Sequence, residues 1–359
     1  MLPDPSSLLA LVLHVLVCAA VMVAWVARPG ARNLPAMLRA VAGSLVIGLM
    51  LSFITAPGPI PATGFALLLA WSWTLGIVLP LLLGIAGVAL LLERRRAGWG
   101  LLAASLAVIV PTVHAFAIEP HDLEVTHHEI VSDRVHAPLR IAVIADLQTD
   151  APGAYEASVL RAVMATSPDL IVMPGDFVQV HDASAYAEAW EALSDSMAEV
   201  GWSAPLGVIV TRGDVDPAPR WDRHATAAGL QILHGRRALR SDVAIIGLEL
   251  AESAAPFDLV RTDDRFTIVA GHRPDFALGR VDADLLLAGH THGGQVRLPW
   301  VGPLVTLSNV PRGWAAGRTE VDEDTTLIVS RGVGMERAQA PRLRFGCRPQ
   351  IVIIDVAPA

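Results

Sequence analysis

The chain contains no lysine; all 27 of its basic residues are arginines. That bias reads as genome composition rather than mechanism. Cysteine is nearly absent as well. Of the two present, Cys18 lies in an apolar run and Cys347 stands alone far downstream, so a disulfide within the C-terminal region is excluded. Internal repeats, coiled-coil heptads and low-complexity tracts are missing. A formal net charge of −8 argues against broad nucleic-acid binding.

Charge is scarce before residue 119, and this excludes an ordinary soluble enzyme. The chain of 359 residues is 53% hydrophobic with a mean hydropathy of +0.49, and the excess lies in that first part. Ser7 to Ala27 and Ala36 to Thr55 are uncharged apart from Arg39. Each is long enough to cross the roughly 30 Å hydrocarbon core of a bilayer. Phe65 to Leu92 can cross with tilt and carries Pro80, an expected kink. Gly98 to Ile118 is the fourth candidate. A cleaved signal peptide would explain only the first segment, which lacks a basic leader. An all-α transmembrane region of about four helices over 1–118 is therefore expected.

Loop charges orient that region. Arg28, Arg32 and Arg39 flank the first connection, and Arg94, Arg95 and Arg96 lie in the third. The second connection, Ala56 to Thr63, is uncharged, and the N-terminus carries Asp4 but no basic side chain. The positive-inside rule puts the arginine loops in the cytoplasm and both termini outside it. A multi-pass protein of the cell membrane with an extracytoplasmic C-terminal domain is the expectation. Residues 119–138 form the connecting segment. His121, His127 and His128 occur there, but the alternation of Leu123, Val125, His127 and Glu129 reads better as an edge strand than as a ligand set.

From residue 139 to 359 one form repeats: an apolar strand that ends in acids, amides or imidazoles. Arg140 to Ala145 runs into Asp146 and Gln148; Leu170 to Pro174 into Gly175 and Asp176. Gly207 to Arg212 runs into Asp214, Val215 and Asp216, and Phe266 to Ala270 into Gly271 and His272. Asp284 to Leu287 leads to Ala288-Gly289-His290-Thr291-His292-Gly293-Gly294-Gln295, where alternation puts His290 and His292 on one side of an extended backbone. Ligands gather beyond the carboxyl ends of strands in open α/β sheets. Any one of these aspartates is more often a turn or cap residue than a ligand; five strand ends in order are not a coincidence. Helical patterns fill the gaps, with Tyr186, Ala189, Trp190, Leu193 and Met197 forming one apolar stripe. Strands near Val243 to Leu248, Thr326 to Ser330 and Gln350 to Val356 fit a second sheet.

Together with Gly293 to Pro299, Ser330 to Gly334 and Arg342 to Pro349, these motifs resemble the calcineurin-like metallophosphoesterase superfamily, specifically its bacterial membrane-associated branch. The resemblance implies a four-layer αββα sandwich and a two-metal site. Asp146, Gln148, bridging Asp176 and His292 would hold one divalent ion, and Asp176, Asp214, His272 and His290 the other. Mn, Fe or Zn suits such thiolate-free donors. Catalytic roles would fall to Asp176, His272 and Asp216, with water activated by the ion pair attacking a phosphoryl group.

Three positions depart from the family pattern. Gln148 stands where an imidazole ligand is usual, and amide oxygen is the weaker donor. Asp214 replaces an asparagine and adds a third carboxylate, expected to repel a phosphate anion. Val215 replaces a histidine that aids the leaving group, so acid assistance of roughly a hundredfold is expected to be lost. Asp216, which orients that histidine in the family, is left without a client. The functional expectation is a membrane-anchored hydrolase of a phosphate ester or pyrophosphate, its substrate a phosphorylated small molecule, lipid or cell-envelope component. The competing reading is an inactive relative that binds metal or a phospho-ligand.

Overall fold

The computed structural model describes residues 5–28, 30, 32–55, 60–337 and 340–359. They form two compact units, Met1–Phe116 with Gln339–Arg342, and Ala117–Ala338 with Leu343–Ala359. Residues 1–4 and 56–59, which include Asp4 and part of the uncharged second connection, lie outside the described residues.

In the first unit the apolar runs become α1 (Pro5–Val26), α2 (Leu34–Thr55), α3 (Ile60–Trp73), α4 (Leu79–Leu92) and α5 (Ala97–Val113). Three stretches, Leu34–Leu51, Gly64–Leu92 and Ala97–His121, are long and apolar enough to cross a membrane, beside a shorter apolar helix over Leu11–Val26. Met22, Met37, Val78, Leu82 and Leu90 pack inside, while Leu16, Met50, Leu106 and Val110 point outward. A helix apolar on every face suits lipid surroundings. At Pro80, the expected kink, α3 and α4 join through a π-helical turn, Thr74–Val78. Proline lacks an N–H and its ring crowds the carbonyl four residues back, and a wider turn relieves both. Two buried polar pairs form inside the unit: Thr74 Oγ1 lies 2.9 Å from His14 Nε2, and Ser105 donates to the Pro80 carbonyl at 2.7 Å. Arg32 pairs with Glu93 at 2.8 Å, joining the first and third connections.

The second unit is built on two six-stranded sheets. One runs β1 (Glu124–Ser132), β14 (Gln350–Pro358), β2 (Leu139–Val143), β3 (Leu170–Pro174), β4 (Val208–Thr211), β5 (Gln231–Ile232). The other runs β12 (Gly317–Glu320), β13 (Thr326–Val329), β9 (Leu285–Ala288), β8 (Phe266–Ala270), β7 (Val243–Gly247), β6 (Gly235–Arg240). A ribbon of β10 (Arg297–Leu298) and β11 (Gly302–Pro303) stands apart. One expectation fails: 350–356 belongs to the first sheet, where β14 lies between β1 and β2, and not to the second. Its nine residues pair in parallel with β1 and antiparallel with β2, a match between distant segments that local patterning cannot reveal. As expected, the connecting segment supplies an edge strand.

Strand residues alternate between two cores, which is why the runs are apolar throughout. Leu285 and Leu287 of β9 meet Ile141, Val172 and Ile354 between the sheets, whereas Leu286 and Ala288 face outward against Phe276 and Val269. On the outer face of the first sheet lie α6 (Ala154–Met164), α7 (Ala183–Glu199) and α8 (Arg220–Ala227), with the predicted stripe of Tyr186, Trp190, Leu193 and Met197 buried. Over the second sheet the fourth layer is thin: among the described residues it comprises α9 (Leu250–Ser253), the 3₁₀ turn Pro274–Leu278 and loops. Leu287 is fully buried between the sheets and Leu278 is 39% exposed. Leu287→Ala is expected to cost about 2–5 kcal/mol, read as a lowered melting temperature of the detergent-solubilised chain, with Leu278→Ala nearly silent. Equal shifts would show that the sheets are not packed through Leu287.

Candidate metal centre

β2, β3, β4, β8 and β9 end on one rim, and the predicted residues meet there. Nδ1 of His290 lies 2.9 Å from Asp214 Oδ2; Nε2 of His272 lies 3.3 Å from the same oxygen and 3.4 Å from Asp176 Oδ2. Two groups of donor atoms result, Asp214 with His272 and His290, and Asp146 with Asp176 and His292, each set lying within 4.8 Å. Reaching this rim requires unusual backbone. Asp146, Gln148, Asp176, His290 and His292 all have positive φ, from 36° to 69°. Such conformations cost about 1–3 kcal/mol each and concentrate at functional sites. Close approach of the β3 and β4 loops also requires glycine, since a Cβ at Gly213 would lie 2.2 Å from Asp176 Oδ1.

The imidazoles are turned by what they bond behind the site. His272 Nδ1 donates to the Pro174 carbonyl at 2.8 Å, and His290 Nε2 donates to that of Leu307 at 2.9 Å. Each then presents its other nitrogen to the carboxylates. Burial drives the His292 imidazole down to about 3, with the Arg344 charge adding to it, so it is neutral at working pH. Burial pushes the Asp146 carboxyl up to about 7. Burial likewise opposes charge on Asp176 and His272, yet their mutual attraction holds the first below the carboxylate range and the second well above the imidazole range. Asp146 Oδ2, Gln148 Oε1, His272 Nε2 and His292 Nδ1 are buried without a hydrogen-bond partner. Buried orphans of this kind are rare in folded proteins, and four donors converging on one cleft fit divalent cations.

Each of the three expected departures acquires a neighbour that the sequence did not reveal. Asp214 is gripped by Arg273, whose Nε and guanidinium NH2 approach its two oxygens at 2.9 and 2.6 Å. The third carboxylate expected to repel phosphate is thus offset by a bidentate cation. Gln148 donates through Nε2 to Glu336 at 3.0 Å, and Gln179 donates to the other Glu336 oxygen. A carboxylate accepts but does not donate, so the Gln148 amide is turned with its oxygen free. Burial raises the Glu336 carboxyl. Asp216 is not left idle. Its carboxylate accepts from the backbone N–H groups of Asp176 (2.8 Å), Phe177 (3.0 Å) and Gly213 (2.8 Å), tying the β3 and β4 ends together. With both oxygens committed to backbone N–H groups, it positions Asp176, a contact that the reading of Asp216 as a residue without a client did not include. Val215 contributes its backbone N–H to Asp176 Oδ1 at 2.9 Å.

Behind Asp146 lies a buried cation. Arg344 is fully enclosed, and its guanidinium donates to the carbonyls of Arg331, Gly332, Gly334 and Cys347. That loop backs directly onto the site: a Cβ at Gly332 would lie 2.7 Å from the Asp146 Cβ. Cys347 in turn donates through Sγ to the His292 carbonyl at 3.2 Å. His121, by contrast, packs edge-on against Tyr155 and joins neither donor group.

The profile of the calcineurin-like phosphoesterase family matches residues 139–294. The metallophosphoesterase YkuE of Bacillus subtilis is 30% identical over 265 residues, which span 68% of this chain and 88% of the relative. The chain belongs to the calcineurin-like phosphoesterase family. Phosphodiesterase YaeI of Escherichia coli is 26% identical over 264 residues, covering 66% of this chain and 90% of that protein. UDP-2,3-diacylglucosamine pyrophosphatase LpxG of Chlamydia trachomatis is 26% identical over 318 residues, covering 69% and 93%. With relatives so named, this phosphoesterase is a hydrolase, and its family uses divalent metals.

Glu336 lies 188 positions from Gln148 in the chain, and its role rests on a single amide orientation. Glu336→Ala is expected to weaken one metal equivalent by about 10–100-fold, as loss of a ligand-orienting partner does, and to leave the other in place. Metal content after dialysis against graded chelator reads this. Retention of both ions at wild-type chelator resistance would show that Glu336 does not set the Gln148 amide.

Proposed function

We propose that this phosphoesterase is a membrane-anchored, metal-dependent hydrolase acting outside the cytoplasm on the phosphate ester or pyrophosphate of a lipid or cell-envelope component. The observation that carries the chemistry is the pair of donor groups, with their four orphaned buried atoms, on one rim. Asp146, Gln148, Asp176 and His292 would hold one divalent ion, and Asp176, Asp214, His272 and His290 the second. When bound, such a pair supplies an acidified water and neutralises phosphoryl charge. The chain's own groups do the rest: Asp216 fixes the Asp176 backbone, Pro174 and Leu307 aim the two imidazoles, and Arg273 balances Asp214. A lipid-linked substrate is supported by the apolar helices and by the chlamydial relative, whose name specifies a diacylated sugar nucleotide.

Asp176 belongs to both ligand sets, so Asp176→Ala is expected to empty the site. Metal content should fall to background, and manganese-dependent hydrolysis of bis-p-nitrophenyl phosphate should vanish with it. His121→Ala, outside both groups, is expected to keep metal and turnover. Equal loss in the two variants would place the site elsewhere.

Orientation rests on Arg28, Arg32 and Arg39 flanking one connection and Arg94 to Arg96 in another, which the Arg32–Glu93 pair joins. Alkaline phosphatase fused after residue 359 is expected to be active, and green fluorescent protein fused there dark. The opposite pattern would put the catalytic domain in the cytoplasm and make soluble nucleotides its candidate substrates.

A further inference from the structure

The apolar loop beside the metal centre has no occupant within the catalytic unit. Leu298, Trp300, Val301, Leu304, Val305 and Leu307 are 38%, 101%, 55%, 45%, 47% and 56% exposed. The central strands of the same unit are buried throughout, and its other exposed large apolar side chains, such as Val131 and Val260, stand singly, whereas six crowd into this one loop. It is also a held shape. The β10–β11 ribbon closes it, Leu304 donates back to the Val296 carbonyl at 3.2 Å, and Trp300 and Leu307 are kept at positive φ. A fully exposed tryptophan on left-handed backbone gains nothing from packing inside the unit. Single exposed apolar side chains need no explanation, but a contiguous patch of this kind marks an interaction surface.

Charge says what the surface fits. From Leu285 to Thr319 the chain has no Asp or Glu, and it carries Arg297, Arg312 and Arg318, in a protein whose net charge is −8. Tryptophan and leucine flanked by arginine, with acid excluded, is the composition of a segment that sits in the headgroup region of a bilayer. Anionic headgroups meet Arg297 and Arg312 while the apolar tips reach the acyl boundary; Arg318, on β12, is held by Glu320 at 2.6 Å. A bilayer is at hand, since the same chain carries Leu34–Leu51, Gly64–Leu92 and Ala97–His121.

We propose that the loop from Leu298 to Leu307 inserts into the interfacial layer of an anionic membrane and so presents the metal centre to lipid-borne phosphate. The link to the site is direct. The Leu307 carbonyl accepts the hydrogen bond from His290 Nε2, and the loop abuts the His290 motif at Gly294, where a Cβ would lie 2.5 Å from Pro303. A headgroup held at this loop therefore lies beside a candidate ligand. The inference rests on the reading of the N-terminal helices as membrane spans and deepens the proposed lipid substrate.

The test uses the full chain in nanodiscs of phosphatidylcholine and phosphatidylglycerol, with the fluorophore NBD attached through Trp300→Cys. Cys18 and Cys347 are both buried, so the native thiols give little background. Leu106→Cys on the lipid-exposed side of α5 serves as the embedded reference, and Glu323→Cys, on an exposed turn, as the aqueous one. The label at 300 is expected to emit at shorter wavelength than the label at 323 and to lose intensity when doxyl lipids are added, as the label at 106 does. Quenching by iodide at the level of the 323 label would overturn the proposal. So would a label shielded from iodide yet indifferent to doxyl lipid, because a second copy or another protein would then cover the loop. If the 106 label is not quenched by doxyl lipid, the membrane reading itself fails and the loop proposal with it. Hydrolysis plays no part in the readout, so failure of the metal-site reading stays distinguishable from both.

Discussion

The carboxylate of Asp216 is the tie on which the metal centre depends. Two parallel strands, β3 and β4, run out of a dry sheet and must turn their next residues toward each other. Their backbone N–H groups lose water there, and Asp216 accepts three of them at once. That geometry keeps Asp176 in left-handed backbone at φ 59°, with its oxygens facing His272 and the Val215 N–H. Burial, and the negative Asp176 beside it, push the Asp216 carboxyl up to about 7. A neutral amide at 216 could accept at one atom only, which explains why a carboxylate is used despite that penalty.

How much of this was legible in the sequence depends on the range over which each feature is determined. Asp146, Asp176, His272, His290 and His292 were legible because each follows an apolar run within a few residues, and the run announces a buried strand end. Helix α7 was legible through the spacing of Tyr186, Trp190, Leu193 and Met197. The sheet assignment of 350–356 was not: its pattern only says that both faces are buried, and either sheet provides that. Arg273 and Glu336 were hidden for a different reason. A charged residue in a loop reads as solvated until a structure shows what it faces, and Glu336 meets Gln148 across 188 positions. The departures expected at 148 and 214 thus look like defects in one dimension. In three dimensions each is paired.

In the apolar helical unit the same economy appears with less polar material. One proline removes a backbone donor inside a long apolar helix, and the chain absorbs it with a π-helical turn rather than with a break, while Ser105 bonds the proline's own carbonyl. Gly87 and Gly98 bring α4 and α5 close enough that a Cβ on the second would lie 2.4 Å from the first one's carbonyl. Small residues at a crossing are how helices associate where water supplies no driving force.

The place of β14 has a consequence for the order in which the molecule can be built. It is latest in chain order among the strands, yet it sits inside the first sheet and is the sole sheet partner of β1 among the described residues. The segment just before it brings Arg344 and Cys347 to the back of Asp146 and His292. During synthesis, therefore, every candidate ligand residue leaves the ribosome before the wall that steadies it. The centre cannot mature as its parts emerge; it waits for the last strand to be threaded between two that were made long before. Until then the edges of β1 and β2 stand open, which is the state most exposed to mispairing.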